Sequence, residues 1–161
     1  MSTNLINIGL IFKNRIGIVS SITKSIFQNQ GNIKHSSMVK LGDHFAFDLS
    51  ADFPKGTDSK IVFKNVESAK KMKVIDDNYK AKAKLSCSDN PGIIHSTAEA
   101  LEKLQADITQ LNSHVTRAPF SSMELFNMEV EFHVDRGINK GSIREALEKI
   151  VEKYDCDLEI K

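Results

Sequence analysis

The sequence predicts an α+β chain made of two copies of one βαββαβ unit, and three observations carry the prediction. Lys13-Asn14-Arg15-Ile16-Gly17-Ile18-Val19, followed by Gly31-Asn32-Ile33, returns as Ser88-Asp89-Asn90-Pro91-Gly92-Ile93-Ile94, followed by Ala106-Asp107-Ile108. The offset is 75 residues at both landmarks, Gly17 to Gly92 and Ile33 to Ile108. In each copy the apolar spacing runs from period two to helical spacing and back, in the same order.

Leu5 to Phe12 reads as a strand, with Ile6, Ile8, Leu10 and Phe12 on one face. Gly17 to Asn29 reads as a helix whose stripe is Ile18, Ile22 and Ile26 with Val19 alongside, and Gly31 stands where a C-terminal cap belongs. Ile33–Leu41 and His44–Ala51 form a hairpin around Gly42-Asp43, with Phe45, Phe47 and Leu49 pointing inward. A second helix is expected from about Lys60 to Lys71, then a short closing strand at Val74-Ile75 and a link at Asp76-Asp77-Asn78. The domains are therefore 1–77 and 78–161.

The second copy alternates more cleanly. Tyr79, Ala81, Ala83, Leu85 and Cys87 face one way, and Lys80, Lys82, Lys84 and Ser86 the other. The helix from Gly92 to about Leu104 buries Ile94, Ala98, Leu101 and Leu104. Ile108–Thr116 is a strand, and Phe126, Met128, Val130, Phe132 and Val134 mark the inward face of the next. Lys140–Tyr154 is a helix with Ile143, Leu147, Ile150 and Tyr154 at helical spacing, and Cys156, Leu158 and Ile160 close as a strand. Elements in this order form a four-stranded antiparallel sheet with two helices on one face, the ferredoxin-like plan, with the first strand beside the third and fourth. Outward Lys80, Lys82 and Lys84 should then lie across from Glu129, Glu131 and Glu159. The matching face of the first copy, with Leu5, Asn7, Gly9, Ile11 and Ala46, is far more apolar and is the expected dimer or partner surface.

Composition narrows the function. A formal net charge of +1 gives no whole-molecule pull toward nucleic acid. Residues 1–78 carry 11 Lys+Arg against 7 Asp+Glu, and residues 79–161 carry 11 against 14. Cys87 and Cys156 are far apart and form no CxxC, so a reduced cytoplasmic chain is expected and each cysteine reads as a small core residue. Met1-Ser2-Thr3-Asn4 does not read as a signal peptide, and no apolar run is long enough to span a membrane. His35, His44, His95, His114 and His133 have no metal-ligand spacing, and no P-loop, G-x-S-x-G or G-x-G-x-x-G motif is present. No catalytic residue, metal or cofactor is expected.

Both copies resemble ACT domains, small regulatory modules that bind amino acids and other metabolites. The resemblance lies in Asn14-Arg15-Ile16-Gly17-Ile18-Val19 with Gly31-Asn32-Ile33, and in Asp89-Asn90-Pro91-Gly92-Ile93-Ile94 with Asp107-Ile108. It covers nearly the whole chain. A tandem pair with the excursion Thr116–Phe126, which contains Ala118-Pro119, is most similar to the glycine cleavage system transcriptional repressor group. That resemblance implies a non-enzymatic cytoplasmic regulator, acting through a protein partner such as a transcription regulator and forming a homo-oligomer, expected to be a dimer, with no direct nucleic-acid or membrane contact.

A glycine between strand end and helix start lets a ligand approach the backbone, and the first helical turn offers unpaired N–H groups to a carboxylate. A neighbouring Asn or Asp accepts from an ammonium group. The resemblance implies that one unit supplies the turn and another supplies the residue before its second strand. Asn14, Arg15, Gly17 and Ile18 would then form one half of a site, with Asn32 reaching across. Asp89, Asn90, Gly92 and Ile93 would form the second with Asp107, and the ligand would be glycine or serine. Ile16 replaces the usual proline, and Phe12 and Cys87 stand where some members carry a histidine. The second set holds two carboxylates, which favours a cation or a bare ammonium. The alternatives are an interaction module without ligand, a small acyl-phosphate hydrolase on the same fold, and a direct DNA binder. Phe120, on the long hairpin, either docks into a partner or folds back on its own sheet.

Overall fold

A computed structural model of the chain describes residues 2–58 and 77–161. The order is β1 (Thr3–Lys13), α1 (Ile18–Gln28), β2 (Asn32–Leu41), β3 (His44–Pro54), β4 (Asn78–Ser88), α2 (Ile93–Lys103), β5 (Asp107–Arg117), β6 (Glu124–Asp135), α3 (Lys140–Tyr154) and β7 (Asp157–Ile160). The helix expected at 60–71 and the strand at Val74-Ile75 lie outside the described residues. Asn78, expected in the link, already opens β4.

All described strands join one antiparallel sheet in the order β1-β3-β2-β5-β6-β4-β7. Within the second unit β4 lies between β6 and β7, as the ferredoxin-like plan requires. The two units share this sheet because β2 pairs with β5. Ser37 sits opposite Asn112, its own counterpart at the repeat offset, and His35↔His114 and Val39↔Gln110 flank that pair symmetrically. A pseudo-two-fold axis therefore passes between Ser37 and Asn112.

The repeat persists in fine detail. Gly17 and Gly92 open α1 and α2 at φ 83° and 90°, in the left-handed region where glycine avoids the Cβ penalty. Gln30 and Gln105 leave those helices at φ 60° and 55°. A bulge interrupts β2 between Ile33 and His35, and another interrupts β5 between Ile108 and Gln110. Each bulge turns the strand beyond it, so that Ser36 and Met38, like Leu111 and Ser113, face inward.

The helices cover one face. Ile18, Val19, Ile22 and Ile26 of α1 are buried with Phe45, Phe47, Leu49, Ala51 and Phe53 of β3. In the second unit Ile94, Ala98 and Leu101, with Ile143, Leu147 and Ile150, meet the inward residues of β6. Burying each large side chain contributes at most about 1.5–3 kcal/mol. Helix α1 packs against α2, and α2 against α3.

The open face divides as the charge pattern predicts. Lys82 and Lys84 lie across from Glu131 and Glu129. Ion pairs run from Lys80 to Glu131 at 2.7 Å, Lys82 to Glu129 at 2.7 Å and Lys84 to Glu129 at 3.3 Å. Glu159 lies opposite Lys84 as expected, with its ion pair going to Lys161; Lys80 departs from expectation, lying opposite His133. On the first unit Leu5 and Ile11 stand 58% and 71% exposed, an apolar surface on an otherwise polar sheet face. Phe120 is fully exposed at φ 67° and does not fold back on its sheet.

Candidate ligand-binding corners

The pseudo-symmetry creates two corners, one at each glycine turn. In the first, β1 delivers Asn14 to the start of α1, where its backbone N–H donates to Asp43 O at 2.7 Å. Asn14 is 4% exposed. Its Nδ2 donates to Asp107 Oδ1 at 3.2 Å, and Lys40 Nζ donates to Asp107 Oδ2 at 2.6 Å. Asn14 Oδ1 has no partner among the described residues. Arg15 turns onto its own loop, donating through Nη2 to Ser21 Oγ at 3.0 Å, and Ile18 is buried behind it.

In the second corner the Asp89 side chain is 5% exposed. Its Oδ2 accepts from Asn32 Nδ2 at 3.0 Å and from Lys34 Nζ at 2.6 Å, while Asp89 Oδ1 has no partner among the described residues. Lys34 also donates to Glu124 at 3.0 Å. Burial pulls the Lys34 pKa down, but hydrogen bonds to Asp89 and Glu124 outweigh it, leaving the pKa above its ordinary value. Glu124 is held below the ordinary carboxylate range by the same lysine. Asn90 lies exposed and donates to Ser88 O at 3.2 Å, whereas Ile93 is buried.

The reach across therefore runs crosswise. Asp107 meets Asn14 and Asn32 meets Asp89, whereas the sequence reading combined Asn14 with Asn32 and Asp89 with Asp107. The cause is the β2–β5 joint, which sets each strand start against the other unit's turn. Each crosswise contact thus joins one amide to one carboxylate, and Asp89 and Asp107 of the second unit are separated rather than adjacent. Each has a lysine of its own.

Among the described residues neither α1 nor α2 has a side-chain cap, while α3 is capped by Asn139, whose side chain accepts from Ser142 N at 2.9 Å. The uncapped turns are covered by the facing helix. A Cβ at Gly17 would lie 2.4 Å from Glu102 Oε1, and one at Gly92 would lie 2.9 Å from the Phe27 ring. Glu102 and Phe27 occupy equivalent positions in the repeat. With these covers closed the corner cavities are about 10 Å³ and 20 Å³, room for a water at most. Phe27 is 44% exposed and stacks on His95 at 6.1 Å. Burial holds the His95 pKa below its ordinary value, with Glu99 opposing.

The sequence reading missed Glu102, Phe27, Lys34 and Lys40. The first two lie at the repeat offset from each other, a signal within reach; the lysines have no counterparts in the repeat. Among the described residues no His/Cys/Asp/Glu cluster suits a metal, and no helix is long and apolar enough to cross a membrane.

No protein-family model and no curated protein matches the chain. Among solved structures, an unknown protein from Galdieria sulphuraria is 22% identical, with 99% of this chain and 98% of that one covered at a TM-score of 0.51. An aspartate kinase from Synechocystis is 13% identical with a TM-score of 0.63; the match spans 98% of this chain but 28% of the kinase. A candidate glycine cleavage system transcriptional repressor is 13% identical over 99% of this chain and 96% of its own, at a TM-score of 0.44, too loose an overlap to carry an argument. Duplicated turns, mirrored bulges and a shared sheet give this chain the fold of a tandem ACT protein, two units that each begin βαββ and are joined edge to edge.

Proposed function

We propose that the chain is a non-enzymatic cytoplasmic regulator that binds a small amino acid, glycine or serine, at its corners and thereby changes its contact with a protein partner, in control of the glycine cleavage system. One observation carries the reading: Asn14 Oδ1 and Asp89 Oδ1 occupy equivalent positions, both are buried, and neither has a hydrogen-bond partner among the described residues. An unmet buried acceptor costs about 1–3 kcal/mol, so a ligand ammonium that donates to it gains on binding. The ligand carboxylate then meets the uncapped helix start.

The second corner is the better acceptor of an acid. Its cover is the Phe27 ring, which can swing into solvent, whereas Glu102 places a carboxylate where the ligand's own would lie. The tight approach at Gly92 favours the smallest amino acids. Displacing Phe27 alters the α1–α2 contact, which is how occupancy would reach a partner surface. The apolar patch around Leu5 and Ile11 is the surface assigned to a second copy in a homodimer.

Calorimetry with a panel of amino acids tests the reading. Glycine or serine should bind, and Asp89→Asn should weaken binding by about tenfold or more through loss of the charged acceptor. No heat from any member of the panel would overturn it. The small cavities support a second reading, an interaction module with permanently closed corners, and the same flat panel is its signature.

A further inference from the structure

Cys87 and Cys156 stand 69 positions apart in the sequence and side by side in the fold. Ser86 on β4 is opposite Asp157 on β7, so the next pair outward is Cys87 opposite Cys156. The Cys156 thiol donates to Cys87 Sγ at 2.7 Å. Both cysteines are free, and they are 6% and 7% exposed. Each is also two residues from the second corner. Asp89 follows Cys87, and Tyr154 precedes Cys156, with its hydroxyl 3.2 Å from where a Gly92 Cβ would stand and 3.4 Å from Ser96 Oγ.

We propose that Cys87 and Cys156 form a reversible disulfide site, oxidised by hydrogen peroxide, that stiffens the wall of the second corner. The bond would tie the end of β4 to the start of β7, and so fix Asp89 and Tyr154 relative to each other. It forms whether or not the corner takes an amino acid.

Chemically, Cys87 loses its proton and its sulfur attacks one peroxide oxygen. The O–O bond breaks, hydroxide leaves and takes up a proton to become water, and Cys87 becomes a sulfenic acid. Cys156 sulfur then attacks Cys87 sulfur, the S–O bond breaks, and the departing hydroxide takes the Cys156 proton as a second water. Two electrons pass from the sulfur pair to peroxide. The order of attack follows the hydrogen bond: donation by Cys156 lowers the Cys87 pKa against the opposing effect of burial, while that bond and burial both raise the Cys156 pKa.

The test is intact mass of the folded full chain, treated with peroxide and then alkylated in denaturant. The expected product is monomeric, loses both alkylatable thiols, is lighter than the untreated, unalkylated chain by about 2 Da, and returns to the dithiol with dithiothreitol. Cys156→Ser, or Cys156→Ala if the serine variant does not fold, should leave a sulfenic acid on Cys87 that dimedone traps. Amide exchange at Gly92–His95 should slow by about threefold or more in the disulfide form. Two thiols that remain alkylatable, or a disulfide formed only between chains, would overturn the site. A formed disulfide with unchanged exchange at Gly92–His95 would overturn its link to the corner.

Discussion

Replacing Gly17 with alanine probes the corner geometry directly. At φ 83° an alanine would sit in the left-handed region, which costs about 1–2 kcal/mol. The added Cβ would also meet Glu102 Oε1 at 2.4 Å. That oxygen ends a flexible side chain, and moving it costs about 0.5 kcal/mol. The sum is about 2 kcal/mol, or about 4–8 °C in Tm for a chain of this size. Thermal unfolding followed by far-UV circular dichroism reads the shift. Adding Glu102→Ala to Gly17→Ala should restore only the smaller steric share, because the backbone cost remains. Gly92→Ala, at φ 90° and facing the Phe27 ring, should lose a similar amount. An unchanged Tm in Gly17→Ala, or complete recovery on removing Glu102, would show that the helix does not start from a left-handed residue.

Two further outcomes follow from the packing and the charge ladder. Gly31 and Ala106 are repeat equivalents, yet a Cβ at Gly31 would lie 2.6 Å from both Ile26 Cγ2 and Phe53 Cε1; Gly31→Ala should therefore cost about 1–3 kcal/mol by overpacking, measured by urea unfolding, and a neutral result would mean the first core is looser than described. Glu129 is held below its ordinary 4.5 by hydrogen bonds from Lys82 and Lys84, and Glu131 by those from Lys80 and Lys82. Their contribution is complete above pH 4.5 and is lost as the pH falls through the lower folded values, because the unfolded chain then binds protons first. Glu129→Gln with Glu131→Gln should accordingly flatten the fall in Tm below pH 4.5, and parallel curves for variant and parent would remove the ladder from the account.

The parts of the fold written in local period were readable from residues alone. Lys80, Lys82 and Lys84 alternate with Ala81, Ala83 and Leu85, and period two sends them to opposite faces whatever the neighbouring strand. Gly17 and Gly92 were readable because one backbone shape needs one residue type at both copies. The crosswise pairing of Asn14 with Asp107 was not, since it depends on which strand edges meet, and the edges of β2 and β5 carry only main-chain groups that any sequence supplies. The Cys87–Cys156 pair escaped for a related reason: 69 positions separate them, and β7 must dock on β4 before their closeness exists. Phe27 and Glu102 read as ordinary helix-end residues until α1 and α2 are laid side by side.

Joining the units in one polypeptide has an evolutionary consequence. Two separate copies of a single module, meeting about the same axis, would have to keep both turns chemically identical, because one gene would encode both. A tethered pair keeps a fixed one-to-one ratio and leaves each half free to drift. Here the drift has placed an anionic lid over one turn and an aromatic lid over the other, so this molecule is in effect a heterodimer carried on a single chain.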